Sequence, residues 1–124
     1  MVYFGNIDDA PDNIEEIWFA VRSLKPYNPR PDVTYRHVPE LSPSKELFLE
    51  TQQKKKSCAF TKKWFDEVYT PNFLTQIEND KYAQSALATL LSAKHDIYVA
   101  CYCRTFSLCH TSILKRIFEE LKKK

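Results

Sequence analysis

Residues Asp96–Leu121, DIYVACYCRTFSLCHTSILKRIFEEL, decide how this chain is read. Ile97, Val99 and Cys101 alternate with Tyr98, Ala100 and Tyr102, so both sides of the segment are apolar. That pattern suits a strand covered on both faces, as in a parallel sheet, better than a half-solvated hairpin strand. Further on, Ile113, Leu114, Ile117, Phe118 and Leu121 recur at helical spacing with lysine and glutamate between them. Thr111 or Ser112 is the expected N-cap. The junction holds three of the four cysteines, Cys101, Cys103 and Cys109, and one of the three histidines, His110. A strand–loop–helix unit aims the helix N-terminal amides and the positive end of its dipole at the loop, which favours an anion there. In open α/β sheets, ligands gather at the carboxyl ends of the strands, the edge where Cys101 to His110 would lie.

The segment CYCRTFSLCHTSIL (101–114) resembles the ending of the domain-of-unknown-function 488 family, in which a strand-end cysteine is followed eight positions later by Cys-His-Arg and a helix. Cys101, Cys109 and His110 match; Thr111 stands where the family usually has arginine. VYFGNI (2–7), VRSLKPYNP (21–29) and VPELSPS (38–44) are similar to the smaller, phage-type members, so the resemblance spans nearly the whole chain. It implies a bacterial or bacteriophage source and a Rossmann-like sheet near the rhodanese and cysteine-phosphatase folds, with a catalytic cysteine.

Composition sets the outer bounds. A chain of 124 residues is the size of one domain, residues 1–124, and long enough to bury a core without staples. A net charge of +2 does not by itself argue for nucleic acid. No apolar run approaches a membrane span and the start lacks a signal pattern. A cytoplasmic protein with reduced thiols, no membrane partner and no cofactor is therefore expected. Gly5 is the one glycine, which excludes a glycine-rich phosphate loop of the P-loop or dinucleotide type.

In chain order, Val2–Gly5 reads as a strand, with Gly5 allowing an unusual backbone angle at its end. Glu16–Val21 (EIWFAV) is a second apolar strand, and the link between the two is short for a parallel crossover. Lys25–Pro31, with three prolines, is an extended loop, and Val33–Val38 a brief strand. Ser42 before Pro43 marks the start of a helix to Thr51. Lys54-Lys55-Lys56 belongs to a solvated loop. Cys58–Tyr69 forms an amphipathic helix with Cys58 packed on its face, and Thr70-Pro71 restarts or kinks it. The stripe Phe73, Leu74, Ile77 and a helix around Tyr82–Leu91 follow. The expected fold is α/β: a small, mainly parallel sheet of three or four strands with helices on both faces.

Chemistry is expected at the carboxyl edge of that sheet. Cys101 and Cys109 are the candidates for thiol chemistry, because a thiolate near a helix N-terminus and a cation becomes a better nucleophile. His110 is the candidate base or phosphate ligand. Asn6, Arg22, Ser23, Cys103, Arg104, Thr111 and Ser112 would bind the substrate, the two guanidiniums serving phosphate or carboxylate. The spacing is not that of a cysteine-phosphatase loop, which needs arginine soon after the nucleophile; six positions beyond Cys101 and Cys103 stand Ser107 and Cys109. The expected function is therefore a nucleotide- or nucleic-acid-related enzyme or binder with an anion pocket at 101–112, taking a phosphate-bearing partner. Two alternatives remain open at this level. One is a zinc site from Cys101, Cys103, Cys109 and His110, although adjacent Cys-His is an uncommon pair on one ion. The other is a non-catalytic accessory protein holding a nucleotide or a partner, with Tyr27, Tyr35, Arg36 and His37 stacking on bases. Against all of these stands plain burial, since free cysteine behaves as a small apolar side chain.

Overall fold

The computed structural model describes residues 1–124. Four strands form one all-parallel sheet: β1 (Val2–Asn6), β2 (Glu16–Phe19), β3 (Thr34–His37) and β4 (Ile97–Cys101), in the spatial order β1-β4-β2-β3. The architecture is α/β and Rossmann-like. β4 is central, with Gly5 opposite Ala100 on one side and Phe19 opposite Ala100 on the other. All five of its residues are buried, which is why its sequence is apolar on both faces.

The central place of β4 also explains the short link after β1. β1 and β2 are parallel but not neighbours, because β4 lies between them. The chain must return along a strand length and step sideways past one strand. Residues 7–15 reach roughly 30 Å when extended, enough for both. Asn6 starts this link by accepting the Asp8 amide and capping a single 3-10 turn, Ile7–Asp9.

The helices are α1 (Lys45–Lys56), α2 (Lys62–Trp64), α3 (Thr70–Glu78), α4 (Lys81–Leu91) and α5 (His110–Lys122). A π-helical turn, Phe65–Tyr69, joins α2 to α3. Pro71 therefore neither breaks nor restarts a separate helix; it sits in the first turn of α3 just after the wide turn, where its missing N–H is tolerated. Ser44, not Ser42, caps α1 by accepting the Leu47 amide. Ser42 instead donates to the Pro39 carbonyl at 2.5 Å, and the Gln76 side chain bridges the Ser42 carbonyl and the Ser44 amide. Cys58 does not pack on a helix face. It is exposed, in the turn after α1, with φ of 57°.

The two faces of the sheet are covered unequally. Trp18, Ala20, Ile97 and Val99 face a cluster of 18 buried residues, closed by Leu47, Phe73, Leu87, Leu90 and Leu114 of the helices. Ile17, Phe19, Tyr98 and Ala100 face a smaller cluster of 10. That second cluster is covered by the 3-10 turn, residues Ala10–Ile14 and the proline-rich segment through Tyr27. Gly5 has no positive φ, so an unusual backbone angle is not its reason for being glycine. The Tyr98 side chain crosses over it, and a Cβ there would lie 2.5 Å from the tyrosine hydroxyl.

Candidate functional site

The carboxyl end of β4 and the start of α5 bring the predicted thiols together. The Sγ atoms of Cys101, Cys103 and Cys109 all lie within 4.8 Å of one another. All four cysteines of the chain are free thiols. Cys101 ends β4, and Cys109, in extended conformation, leads into α5 at the cap position. α5 thus begins earlier than Thr111 or Ser112 capping would place it. No side chain caps it; the Ser112 hydroxyl donates to the Cys109 carbonyl at 2.7 Å.

Within the cluster, the Cys109 thiol donates to Cys101 Sγ at 3.2 Å. The Thr111 hydroxyl lies 3.4 Å from Cys101 Sγ and 3.3 Å from Cys109 Sγ. Cys101 also approaches the Gly5 carbonyl at 3.5 Å. The neighbouring Cys103 and then Cys109 thiols hold the Cys101 thiol far below the ordinary thiol range. Cys103 and Cys109 keep their protons against that charge; hydrogen bonding to Cys101 pushes Cys109 up to about 12 and Cys103 up as well.

His110 Nε2 lies 2.6 Å from the Ala20 carbonyl. A carbonyl can only accept, so Nε2 carries the proton, and in the neutral ring Nδ1 is left as a bare lone pair. Nδ1 lies 3.5 Å from Cys109 Sγ. The Phe73 ring holds the imidazole edge-on, with centroids 5.8 Å apart. Ala20 continues β2 past its last ladder residue, its amide bonding to the Ala100 carbonyl. The same short stretch of backbone therefore ties β2 to β4 and fixes the histidine tautomer.

The other expected site residues divide sharply. Asn6 reaches the junction, but its amide is committed: Nδ2 donates to the Cys103 carbonyl at 2.7 Å while Oδ1 takes the Asp8 amide. Thr111 is buried among the thiols and Ser112 bonds only to Cys109. Arg22 does not turn into the cluster; its guanidinium donates outward to the Pro43 carbonyl at 3.3 Å. Ser23 and Arg104 are exposed. The stacking candidates are occupied too. Tyr27 and Tyr35 pack on Phe19, Arg36 lies over Trp18, and His37 Nε2 bonds to the Val21 carbonyl.

Three participants escaped sequence reading. Tyr69, from the π turn, is buried beside the cluster; burial, then the Cys109, Cys103 and Cys101 thiols, push its hydroxyl far up and keep it protonated. Phe73 and the Ala20 carbonyl fix His110. None of them carries a local signal, because each meets the thiols only through the packing of distant segments. Access is narrow. Cys101 and Cys109 are each 1% exposed, and Cys103 is the half-buried member of the three. A cleft of about 370 Å³ touches the junction at Ser107 and Ser112 but not at the sulfurs. No helix is long and apolar enough to cross a membrane.

A family model described as the Active DUF488-N3 subclade matches residues 3–122, so the chain belongs to the DUF488 family. No curated protein and no solved structure matches it.

Proposed function

We propose that this member of the DUF488 family uses the 101–112 junction for cysteine-centred chemistry on a phosphate-bearing ligand of the nucleotide or nucleic-acid class. The observation that carries this reading is the convergence of three thiols and an imidazole at the carboxyl edge of a parallel sheet, beside the first turn of α5. Cys101 is the proposed nucleophile. The Cys109 thiol, donating to Cys101 Sγ, steadies its charge, and the bare Nδ1 of His110 stands beside Cys109. The α5 amides and dipole favour the ligand's anionic group, and Arg104, exposed on the loop between β4 and α5, is free to close on it. The ligand reaches the sulfurs past Cys103. The family description of an active subclade supports catalysis rather than binding alone.

A thermal-shift screen of nucleotides and phosphorylated metabolites tests this directly. A ligand present at a hundred times its Kd raises folded-state stability by about 2.7 kcal/mol, an upward shift of several degrees. The shift should survive Cys58→Ser and weaken in His110→Ala and Arg104→Ala. Product formation from the same ligand should vanish in Cys101→Ser. Absence of any shift across the panel, or turnover that persists in Cys101→Ser, would overturn the reading.

A further inference from the structure

We infer that Cys101, Cys103, Cys109 and His110 form a binding site for one zinc ion. A tetrahedral zinc with sulfur ligands at about 2.3 Å sets its sulfurs roughly 3.8 Å apart, and a nitrogen ligand roughly 3.6 Å from each sulfur. The three Sγ atoms lie within 4.8 Å of one another with the Cys101–Cys109 pair at 3.2 Å, and His110 Nδ1 stands 3.5 Å from Cys109 Sγ. The three sulfurs form the close group; His110 adjoins it through Cys109, and side-chain rotation must carry Nδ1 nearer the other two sulfurs to complete the tetrahedron.

The histidine is prepared for that role. Ligating imidazoles donate their second N–H to a carboxylate or backbone carbonyl, which fixes the tautomer; Nε2–H to the Ala20 carbonyl at 2.6 Å is this arrangement. The sequence-level objection, that adjacent Cys-His rarely share an ion, is met by the backbone. Cys109 is extended, with φ of −123° and ψ of 149°, while His110 begins α5. The change of conformation between them lets neighbouring side chains point at one place. Binding of a divalent ion expels the thiol protons. An ion here would occupy the Cys101 sulfur, so the metal-free protein is the form with a nucleophile. The inference does not depend on the proposed chemistry.

The test is titration of reduced, metal-stripped full-length protein, first with Co²⁺ and then with Zn²⁺. The expected result is sulfur-to-cobalt charge-transfer absorption that saturates at one equivalent and disappears when Zn²⁺ displaces Co²⁺. Cys101→Ser, Cys103→Ser, Cys109→Ser and His110→Ala should each weaken Zn²⁺ affinity by more than the ~10- to 100-fold that loss of an outer-shell partner costs, while Cys58→Ser leaves it unchanged. Wild-type protein without the absorption band overturns the site, whatever the variants do. A band that survives Cys101→Ser and Cys109→Ser does the same, and unchanged affinity in His110→Ala removes the histidine from the ligand set. Turnover by the metal-free protein is scored separately, so either reading can fail alone.

Discussion

The two faces of the sheet share four strands but are built to different standards. One is sealed by α-helices over 18 buried residues. The other is closed by a single 3-10 turn and irregular chain over 10, among them Cys101 and Cys109, with Cys103 packed alongside. Most of the apolar burial that stabilises the fold lies on the first face, whereas all three thiols pack with the second at its carboxyl end. The division is physically sensible. Helices repeat one apolar stripe over many turns and fill a core densely. Irregular chain covers area less well but can fold Cys103 and Cys109 back onto the end of β4, beside the first turn of α5 that carries His110 and Thr111.

Neighbouring residues of β2 put that contrast to its severest test. Trp18, fully buried, faces the helices, and Phe19 faces the loops. Trp18→Ala should cost about 5 kcal/mol and Phe19→Ala about 3, because loop chain collapses into a cavity more readily than packed helices do. Chemical denaturation of both variants measures the difference; equal losses, or a larger one at Phe19, would break the comparison.

A smaller effect is expected where β1 meets the loop-covered face. Gly5→Ala places a Cβ against the Tyr98 hydroxyl, which itself donates to the Asn6 carbonyl at 2.7 Å, and should cost about 1–3 kcal/mol. With Tyr98→Phe the nearest remaining ring atom is at an ordinary 3.5 Å. The double variant should therefore be more stable than the sum of the two single losses allows. Strict additivity in a double-mutant cycle would show that Tyr98 is not what requires glycine there.

The mildest prediction concerns the amino edge of the sheet, away from the thiols. Burial raises the Glu16 carboxyl, but hydrogen bonds from the Trp18 indole and His95 outweigh it, and the net shift is below its ordinary value of 4.5. A depressed folded-state value means that the stabilisation is fully present above about pH 4.5 and fades as pH falls through the folded value. Thermal midpoints should therefore drop below pH 4.5, and the drop should be shallower in Glu16→Gln. An identical acid profile in that variant would show the contacts to be energetically silent.

Much of the fold was legible because its signals are local. The double-sided apolar run of β4 reports its central place, the α5 stripe reports a helix packed on one side, and the proline-rich segment reports irregular chain. Cap positions were less legible, since Ser44 rather than Ser42 caps α1 only because Gln76, far along the chain, holds the intervening backbone. Arg22 was misplaced for a similar reason. Its position three residues past β2 is a matter of sequence, but its direction is set by the Pro43 carbonyl that receives it.

What residue order settled alone is the kind of chemistry available at one turn of chain: thiols at 101, 103 and 109 and an imidazole at 110, between a buried strand and an amphipathic helix. What only tertiary structure decided is how those groups are used. The Ala20 carbonyl selects the histidine tautomer, the Phe73 ring packs edge-on against it, and β4, entering between β1 and β2, brings the strand ends together beside the sulfurs. Periodicity reports which face of an element is buried. The partner across that face comes from chain tens of residues away, and local spacing carries no record of it.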